Sequence, residues 1–279
     1  MWDGMWRNDV TVLQQSATSL VRKHTLDANV AYVTKVTDVT SPQLHQEIHA
    51  LRAIPLHPNI VSLRCATTFA YADKTFGCVV LEYSGVALID MDRKTIREHR
   101  YNILWDVSSA LRHLHDHRFA HIDVKPDNVT MDTTQYRCKL IDFGASVLVT
   151  GTMRITAGTV QYAAPEVIRC VANEEHRVCP YRADVWSFGV TAFAVLYDAH
   201  IFHCAHVSDG RFLRFMKGME LHGSCTGLLN AMNPSESTTV HDVIGAALQV
   251  CPWMRSPMNV LERMLAAERS TQKKNICGA

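Results

Sequence analysis

The stretch that most constrains this chain is residues 121–128, which read His-Ile-Asp-Val-Lys-Pro-Asp-Asn. Asp123 stands five residues before Asn128, and Lys125 lies between them. Fourteen residues after Asn128, an apolar run ends at Asp142 in Asp-Phe-Gly. Asp123 can accept a proton or orient a hydroxyl group, and Lys125 can neutralise a developing negative charge. Asn128 and Asp142 carry hard oxygen ligands that suit Mg²⁺ bound beside phosphates. The pattern indicates phosphoryl transfer, which depends on positioning and charge neutralisation.

Two later motifs extend this pattern: Ala164-Pro165-Glu166, and residues 184–189, which read Asp-Val-Trp-Ser-Phe-Gly. In this order and spacing, the four motifs resemble the signature set of eukaryotic-type serine/threonine protein kinases. A lone His-x-Asp motif of this kind also occurs in small-molecule phosphotransferases, which are the first alternative. The two later motifs argue against that alternative, because in the resembled family they build a platform for protein substrates.

The resemblance implies a two-lobed α+β fold and a single kinase domain over residues 1–279. A small, mostly antiparallel β lobe would cover residues 1–85, and a larger, mainly helical lobe would cover residues 86–279. The active site would lie in the cleft between the lobes, with ATP and Mg²⁺ as cofactors.

The charge balance gives no electrostatic case for a nucleic acid or an anionic membrane as partner, since the chain has 28 basic and 27 acidic side chains. No apolar run is long enough to span a bilayer, and the first residues lack the apolar core of a signal peptide. The nine cysteines form no Cys-x-x-Cys pair, which predicts reduced thiols. We therefore expect a soluble, intracellular monomer in the cytoplasm or the nucleus.

Residues 9–40 alternate and are rich in β-branched side chains, which predicts antiparallel strands. The resembled family places a glycine-rich loop over the ATP phosphates between its first two strands. Here that loop would be residues 14–19, Gln-Gln-Ser-Ala-Thr-Ser, and it contains no glycine. Glycine lets a backbone approach phosphate closely, and Ser16 and Ser19 can substitute only in part. A second alternative therefore stays open, a pseudokinase-like scaffold protein with weak or no ATP turnover. The compact length and the glycine-free loop are similar to those of divergent kinases encoded by large DNA viruses.

The resemblance assigns Lys35 to the α- and β-phosphates of ATP. A solvated strand lysine is the plainer interpretation of this residue. Glu47 supports the functional interpretation, because it lies in an amphipathic pattern that begins after Ser41-Pro42 and predicts a helix. The resembled family pairs this lysine and this glutamate to position ATP.

The adenine pocket is outlined by the same resemblance. It assigns six residues to this pocket: Val21, Val33, Leu81, Glu82, Tyr83 and Thr130. The backbone of Glu82 and Tyr83, in the hinge, would hydrogen-bond to adenine, and Leu81 would guard the back of the pocket. The family usually has alanine in place of Val33 in the roof and a large aliphatic residue in place of Thr130 in the floor. The two changes are expected to compensate in volume.

A long helix is predicted over residues 99–118 by the spacing of its apolar residues. Its histidines 113, 115 and 117 alternate near the end of the pattern and are expected at the surface. In the resembled family this helix precedes the catalytic loop.

Two departures from the family pattern concern regulation. Ile122 stands where the family has an arginine that receives a phosphate, and Ile155 stands where the phosphorylated threonine is usual. An arginine without its partner would be costly to bury, so the two changes fit one another. They predict that activity does not require phosphorylation of the activation segment.

Thr159 and Lys125 together resemble the serine/threonine-specific pattern, in which this threonine hydrogen-bonds to the catalytic aspartate and lysine. Glu166 is expected to pair with Arg255, and Asp184 is expected to brace the backbone of the catalytic loop. The expected activity is transfer of the γ-phosphate of ATP to serine or threonine hydroxyls of a protein substrate. Asp123 would position that hydroxyl group.

Overall fold

The computed structural model describes residues 10–16, 18–26, 30–172 and 177–277. The first described part is a five-stranded antiparallel sheet with one helix packed against it. Its elements are β1 (Val10–Gln15), β2 (Ser19–Thr25), β3 (Ala31–Asp38), α1 (Pro42–Ala53), β4 (Leu63–Tyr71) and β5 (Lys74–Glu82). The strand order is β1-β2-β3-β5-β4. The expected antiparallel strands are therefore present, as the alternation of β-branched residues predicts.

The loop between β1 and β2 is shorter than the expected residues 14–19. Gln14 and Gln15 belong to β1 and pair with Val21 and Leu20, while Ser19 already opens β2. The ladder shifts register between Val12 and Gln14, and such a bulge increases the local twist of the strand. Residues 1–9 and Ala17 lie outside the described residues, so the expected loop is seen only in part.

The rest of the chain is mainly helical. Its strands are β6 (Val86–Ala87), β7 (Phe119–Ala120), β8 (Val129–Asp132), β9 (Arg137–Leu140) and β10 (Val147–Leu148). Its helices are α2 (Arg93–Asp116), α3 (Pro165–Ala172), α4 (Pro180–Tyr197), α5 (Gly210–Leu221), α6 (Cys225–Met232), α7 (Thr238–Ala247) and α8 (Met258–Cys277). The strands form two small sheets, β6-β8-β9 and β10-β7. Together with the first sheet, these elements make the two-lobed α+β architecture that the motifs predicted.

Helix α2 begins earlier than its apolar spacing indicated. The prediction placed the helix at residues 99–118, but Asp92 caps it by accepting a hydrogen bond from the backbone N–H of Thr95 at 2.8 Å. The cap stabilises the first turn, in which Ile96 is also buried. The predicted hinge begins where β5 ends, since this strand runs from Lys74 to Glu82.

The large hydrophobic core is centred on α4, which is buried along most of its length. Trp186 and Phe188 are fully buried there, and α2 and α7 pack against the same helix. Because α4 is apolar on nearly every side, it is a central support and not a surface helix. No helix within the described ranges is long and apolar enough to cross a membrane.

Candidate active site

A cavity of about 440 Å³ lies between the five-stranded sheet and the β6-β8-β9 sheet. Eleven of the residues predicted from the sequence line it: Val21, Val33, Lys35, Glu47, Leu81, Glu82, Tyr83, Lys125, Asn128, Thr130 and Asp142. Four predicted residues do not line its walls: Ser16, Ser19, Asp123 and Thr159. Asp123 and Thr159 connect to the cavity through Lys125 and Asn128, whereas Ser16 lies in the β1–β2 turn and Ser19 opens β2.

Lys35 is the central cation of this cavity. Its Nζ lies 2.9 Å from Glu47 Oε2 and 2.7 Å from Asp142 Oδ1. Strand β3 supplies the lysine and α1 supplies the glutamate, which is buried. The ion pair expected between Lys35 and Glu47 is therefore present, and the same lysine also reaches Asp142.

Charge pairing at Lys35 determines the ionisation of this cluster. Burial alone would lower the pKa of Lys35, but Glu47 and Asp142 outweigh burial and raise that pKa. Burial also disfavours the charged form of Asp142, yet the Lys35 ammonium holds the pKa of Asp142 below its usual value. Burial raises the pKa of Glu47, and Lys35 opposes that rise. The lysine therefore stays charged beside an ionised Asp142.

Asp123 lies at the centre of a hydrogen-bond network. Its Oδ1 accepts a bond from the Thr159 hydroxyl at 2.7 Å, and its Oδ2 lies 2.8 Å from Lys125 Nζ. Asn128 Nδ2 donates to the same Oδ2 at 3.0 Å and to the Asp123 carbonyl at 2.8 Å. Lys125 Nζ also donates to Thr159 Oγ1 at 2.7 Å. Both carboxylate oxygens are therefore fixed in orientation by side chains.

These bonds also determine the charge of Asp123. Burial opposes its ionisation, but the hydrogen bonds from Lys125 and Thr159 outweigh burial and hold the pKa of Asp123 below its usual value. A carboxylate with a lowered pKa is a weak base. The group is therefore suited to orient a hydroxyl group while staying ionised.

The ligand set fits Mg²⁺ held jointly by protein and phosphates. Asn128 uses its Nδ2 for Asp123, which leaves its amide oxygen for a metal, and Asp142 uses Oδ1 for Lys35 and for the N–H of Gly144. The described residues contain no cluster of three or more His, Cys, Asp or Glu side chains that could hold a metal ion. Mg²⁺ commonly takes one or two protein oxygens and completes its shell with phosphates and water. Oxygens of Asn128 and Asp142 meet that requirement.

Asp184 supports the catalytic loop from inside helix α4. Its Oδ2 accepts the N–H of His121 at 2.8 Å, and its Oδ1 accepts the N–H of Ile122 at 2.7 Å. Ile122 has φ of +71°, a conformation that is strained for a β-branched residue. Two bonds from a buried carboxylate hold this strained backbone in place. His115 also contacts Asp184, at 3.0 Å, so the prediction that this histidine lies at the surface was wrong.

The β1–β2 turn is tied to itself. Ser16 Oγ accepts hydrogen bonds from the N–H groups of Thr18 at 3.3 Å and Ser19 at 3.0 Å. The N–H of Ser16 donates to the carbonyl of Ser19 at 2.9 Å. The turn therefore uses its own N–H groups, and the expected substitution of phosphate-binding glycines by Ser16 and Ser19 is not apparent in its geometry.

One backbone N–H of the predicted hinge already has a partner within the protein. The N–H of Glu82 donates to the carbonyl of Ser62 at 3.1 Å, so this donor is already used within the protein. The Glu82 carboxylate pairs with Lys139 at 2.7 Å and accepts the N–H of Ser62 at 2.7 Å. The Lys23 ammonium lies 4.0 Å from the centre of the Tyr83 ring, a cation–π contact at the mouth of the cavity.

Several wall residues were not found from the sequence. Ser84, Gly85, Ile89, Asp90 and Asp127 line the cavity beside the predicted set. Gly85 has φ of +105°, and a Cβ there would overlap the Met131 carbonyl. Gly85 could have indicated from the sequence that the hinge backbone passes close to β8, because only glycine fits such an approach. Ser84, Ile89 and Asp90 follow the hinge without belonging to a motif, and Asp127 lies within the stretch 121–128 but had no predicted role.

The activation segment is fixed by apolar and backbone contacts. Ile122 and Ile155 are both buried, as the paired replacement required. Met153 and Val178 exchange two backbone hydrogen bonds of 2.9 Å, and the N–H of Ile155 donates to Cys170 Sγ at 3.4 Å. The segment is therefore anchored at Met153 and at Ile155 without a phosphate group.

A buried ion pair joins the end of this segment to the last part of the chain. Arg255 Nη1 and Nη2 lie 2.5 and 2.8 Å from the two carboxylate oxygens of Glu166. The arginine also donates to the carbonyls of Gln249 and Arg182 at 2.7 Å. The pair that the sequence predicted is therefore bidentate and well hydrogen-bonded, which is the geometry that a buried ion pair needs.

The fold and this cleft define a protein kinase domain, with a lysine–glutamate ion pair, an oriented aspartate and two metal-suited oxygens. The family model for the protein kinase domain matches residues 17–264. The chain belongs to the protein kinase family. Protein kinase domains in general transfer phosphate from ATP with the help of a divalent metal.

Curated relatives agree with this assignment at low identity. The putative ribosomal protein S6 kinase alpha-2 of Caenorhabditis elegans is 29% identical over 217 residues, which cover 71% of this chain and 27% of that protein. Myosin-IIIb of Mus musculus is 35% identical over 185 residues, which cover 60% of this chain and 14% of that protein. Serine/threonine-protein kinase PSK2 of Saccharomyces cerevisiae is 30% identical over 140 residues, covering 49% of this chain and 12% of that protein. The matched part is thus 27% or less of the length of each of these relatives.

Proposed function

We propose that this chain is an active serine/threonine protein kinase that uses ATP and Mg²⁺. The observation that carries the proposal is the Thr159 hydroxyl, which bonds Asp123 and Lys125 at 2.7 Å each. It ties the activation segment to the two residues that would act on the acceptor hydroxyl. A serine or threonine side chain of a protein substrate is the acceptor in this proposal.

In the proposed reaction, the ionised Asp123 orients the acceptor hydroxyl toward the γ-phosphate. The acceptor oxygen bonds to phosphorus as the bond to the leaving ADP oxygen breaks. Asp123 takes up the hydroxyl proton late in this step, when the forming bond has made the proton acidic enough for a weak base. Lys125 lies 2.8 Å from that carboxylate and neutralises charge on the transferred phosphate. Lys35, fixed by Glu47, holds the α- and β-phosphates. When bound, Mg²⁺ would supply charge neutralisation at the phosphates, held by oxygens of Asn128 and Asp142.

The adenine base would occupy the part of the cavity near the hinge. Val21 and Val33 would cover it, Thr130 would lie below it, and Leu81, Tyr83 and the backbone of Glu82 would border it. Since the Glu82 N–H already donates to Ser62, the backbone N–H groups that bond to adenine would come from the following hinge residues. Ser84 lines the cavity, and no partner is seen for its N–H among the described residues.

The decisive experiment measures transfer of radiolabelled γ-phosphate from ATP to generic acceptor proteins. Asp123→Asn should reduce transfer by at least about a hundredfold, since it removes the charged group that orients and accepts the proton. Asp142→Ala should abolish transfer, because it removes a metal ligand without removing core volume. Circular dichroism spectra of both variants provide the folding control. Unchanged transfer by either folded variant would refute the proposed kinase activity.

A pseudokinase-like scaffold remains the second candidate, and the self-bonded β1–β2 turn favours it. Ser16 occupies the N–H groups of Thr18 and Ser19, which a phosphate-binding loop would need. Calorimetric titration with ATP and Mg²⁺ separates the candidates when it is run beside the transfer assay. Nucleotide binding without transfer, or no nucleotide binding at all, would favour the scaffold.

We also propose a domain division, a partner and a location for this kinase. We place the lobe division after residue 85 of a single domain, residues 1–279, because β6 pairs with β8 and not with the five-stranded sheet. The proposed partner is a protein substrate with a serine or threonine acceptor, bound by a kinase monomer. A location in the cytoplasm or nucleus stays a prediction.

A further inference from the structure

A second, smaller cavity adjoins the cleft described above. It is lined by residues within 88–96, by Pro126 and Tyr162, and by residues within 194–200 at the end of α4, and we call it the Tyr162 pocket. Ile89 lines both this pocket and the larger cavity, so the two meet at that residue. The pocket has a volume of about 190 Å³. The reaction proposed above assigns no role to it.

The walls of the Tyr162 pocket are mostly apolar. Leu88, Ile96 and Val195 are buried there, and Pro126 and Ala194 belong to the same lining. An apolar lining gains most from a group that also prefers to leave water. By liquid volume the pocket corresponds to about six water molecules, so it has room for one side chain of about four or five heavy atoms.

The charged side chains of the pocket neutralise each other. Among the described residues that line it, Arg93 and Asp198 are the charged ones, and Arg93 Nε lies 3.0 Å from Asp198 Oδ1. Both side chains are about half exposed, which places this ion pair toward the solvent. His200 turns its ring edge-on to Tyr162, with the ring centres 5.9 Å apart. A charged group that entered the pocket would therefore lose water without gaining an uncommitted charged partner.

The pocket lies close to where the acceptor hydroxyl would bind. Pro126 follows Asp123 by three residues, and Tyr162 follows Thr159 by three residues. The Thr159 hydroxyl bonds to Asp123 at 2.7 Å. Burial raises the pKa of Tyr162 to about 12, and the carboxylates of Asp127 and Asp123 add to this rise, which brings the phenol into their vicinity. A peptide that presents its hydroxyl to Asp123 would therefore pass within a few residues of the pocket.

We propose that the Tyr162 pocket binds one aliphatic side chain of the protein substrate, of the size of leucine or methionine, from a residue a few positions away from the acceptor. The inference rests on the proposed function and adds a sequence preference to it. Three observations select this occupant: the apolar walls, the mutual pairing of Arg93 and Asp198, and the shared border with the cleft at Ile89.

A basic side chain is the competing occupant of this region. Asp90 and Asp127 are exposed and line the larger cavity next to the pocket. Their carboxylates would favour arginine at the same substrate position if charge and not burial decided the preference. The experiment therefore compares leucine with arginine directly.

The binding arm of the test needs no phosphoryl transfer. Fluorescein-labelled peptides carry alanine in place of the acceptor and a single leucine, placed at each of the four positions before or after it in an otherwise polar sequence. Anisotropy is measured as each peptide is titrated with the whole chain. At one position, leucine should bind at least about tenfold more tightly than alanine. Methionine at that position should keep most of this gain, and glutamate or arginine should not.

Ala194→Leu tests where the leucine binds. Ala194 lines the pocket, so a larger side chain there would fill it from α4. The ratio between the affinities for the leucine and alanine peptides should fall below about twofold. Ala231→Leu is the matched control, because it makes the same change at an exposed position near the end of α6, outside both cavities, and should keep the full ratio.

Two further measurements guard against a variant that fails to fold. Thermal unfolding followed by circular dichroism identifies such a variant. On the wild type, a leucine analogue with a diazirine group at the selected position is photolysed in the complex, and the labelled peptides are mapped by mass spectrometry. The label should fall within residues 88–96 or 194–200.

The kinetic arm restores serine at the acceptor position and measures transfer from ATP. Leucine at the selected position should lower KM at least about fivefold relative to alanine, and Ala194→Leu should remove this advantage while Ala231→Leu keeps it. Absence of transfer to every peptide would refute the kinase activity, while anisotropy and crosslinking would still decide whether the pocket binds the side chain.

Four results would overturn the proposal for the pocket. They are no position at which leucine improves binding, an equal or larger gain with arginine, a full leucine advantage in folded Ala194→Leu, and crosslinks confined to other parts of the chain. The second of these would assign the preference to the carboxylates of Asp90 and Asp127.

Discussion

The hydroxyl of Thr130 lies 2.7 Å from the hydroxyl of Ser84, and both side chains are buried. Thr130 belongs to β8 and Ser84 to the hinge, so this bond fastens the hinge to the floor of the proposed adenine pocket. Thr130 Oγ1 also donates to the carbonyl of Lys139 at 3.4 Å. The floor residue is therefore small and polar because it bonds the hinge, in addition to leaving room below the larger Val33.

Thr130→Leu should weaken ATP binding for two reasons. The larger side chain overpacks the pocket, which typically costs about 1–3 kcal/mol, and the Ser84 hydroxyl loses its partner. Adding Val33→Ala should recover the part due to volume, which gives a non-additive double-mutant cycle. Nucleotide affinities of the wild type, both single variants and the double variant are measured by calorimetry.

Thr130→Val is the matched control for this cycle, since it keeps the shape and removes only the hydroxyl. It should weaken binding less than Thr130→Leu, and Val33→Ala should not rescue it. Additive effects of Thr130→Leu and Val33→Ala, or tighter binding by Thr130→Leu, would mean that the two residues do not face each other across the base.

The activation segment should work without phosphorylation. Ile122 and Ile155 are buried, and the Met153–Val178 bridge holds the segment by backbone bonds. A phosphate would have no buried cation to meet at Ile122. Phosphatase treatment should leave the transfer rate within about twofold, as should Ala at Thr150, Thr152 and Thr156. A large loss after phosphatase, restored by rephosphorylation within residues 145–160, would contradict this.

The free energy of unfolding should fall as the pH drops below about 6.5, the pKa of an unperturbed histidine. Burial, together with the smaller effects of the nearby His113 and Arg112, lowers the pKa of His57 to about 4. A group whose pKa is lower in the folded state stays neutral there while the unfolded chain takes up a proton. The contribution of neutral His57 to the free energy of unfolding is therefore fully present above a pH of about 6.5. It is lost as the pH falls toward 4.

Urea unfolding at pH 7 and pH 5 tests the contribution of His57. The wild type should lose free energy of unfolding between these values, and His57→Asn should lose less. His113 has a lowered pKa from burial as well, so the variant should keep part of the dependence. An identical loss in wild type and variant would remove His57 from the explanation.

The parts of the site that sequence reasoning reached are those where chemistry fixes the residue type. The resemblance to the kinase family implied the Lys35–Glu47 and Glu166–Arg255 ion pairs, and both pairs are present. The motifs also indicated the antiparallel sheet and the helical remainder.

The parts that sequence reasoning missed depend on neighbours brought together by the fold. The Ser84–Thr130 bond joins residues 46 positions apart, and neither residue type requires such a bond. The contact of His115 with Asp184 arises because α2 packs on α4, which periodicity alone does not reveal. The turn after β1 is shorter than predicted because the Ser16 hydroxyl accepts hydrogen bonds from backbone N–H groups of the same turn. Such side-chain-to-backbone bonds cannot be predicted from composition.

Ser16 should limit the affinity for ATP. Its Oγ accepts the N–H groups of Thr18 and Ser19, and those donors are then unavailable to phosphate oxygens. Ser16→Ala removes the acceptor and frees both N–H groups. A hydrogen bond of this kind is worth about 0.5–1.5 kcal/mol, so ATP affinity should rise by about two- to tenfold.

Calorimetric titrations with ATP and with adenosine separate this effect from changes elsewhere in the cavity. The gain should appear for ATP alone, because adenosine has no phosphate to accept the freed N–H groups. Thr18→Ala is the matched control, since it alters the same exposed turn and leaves both bonds to Ser16 Oγ in place; it should bind ATP as the wild type does. Weaker ATP binding by Ser16→Ala would reverse the interpretation, because the hydroxyl would then be shaping the turn for phosphate and not competing with it.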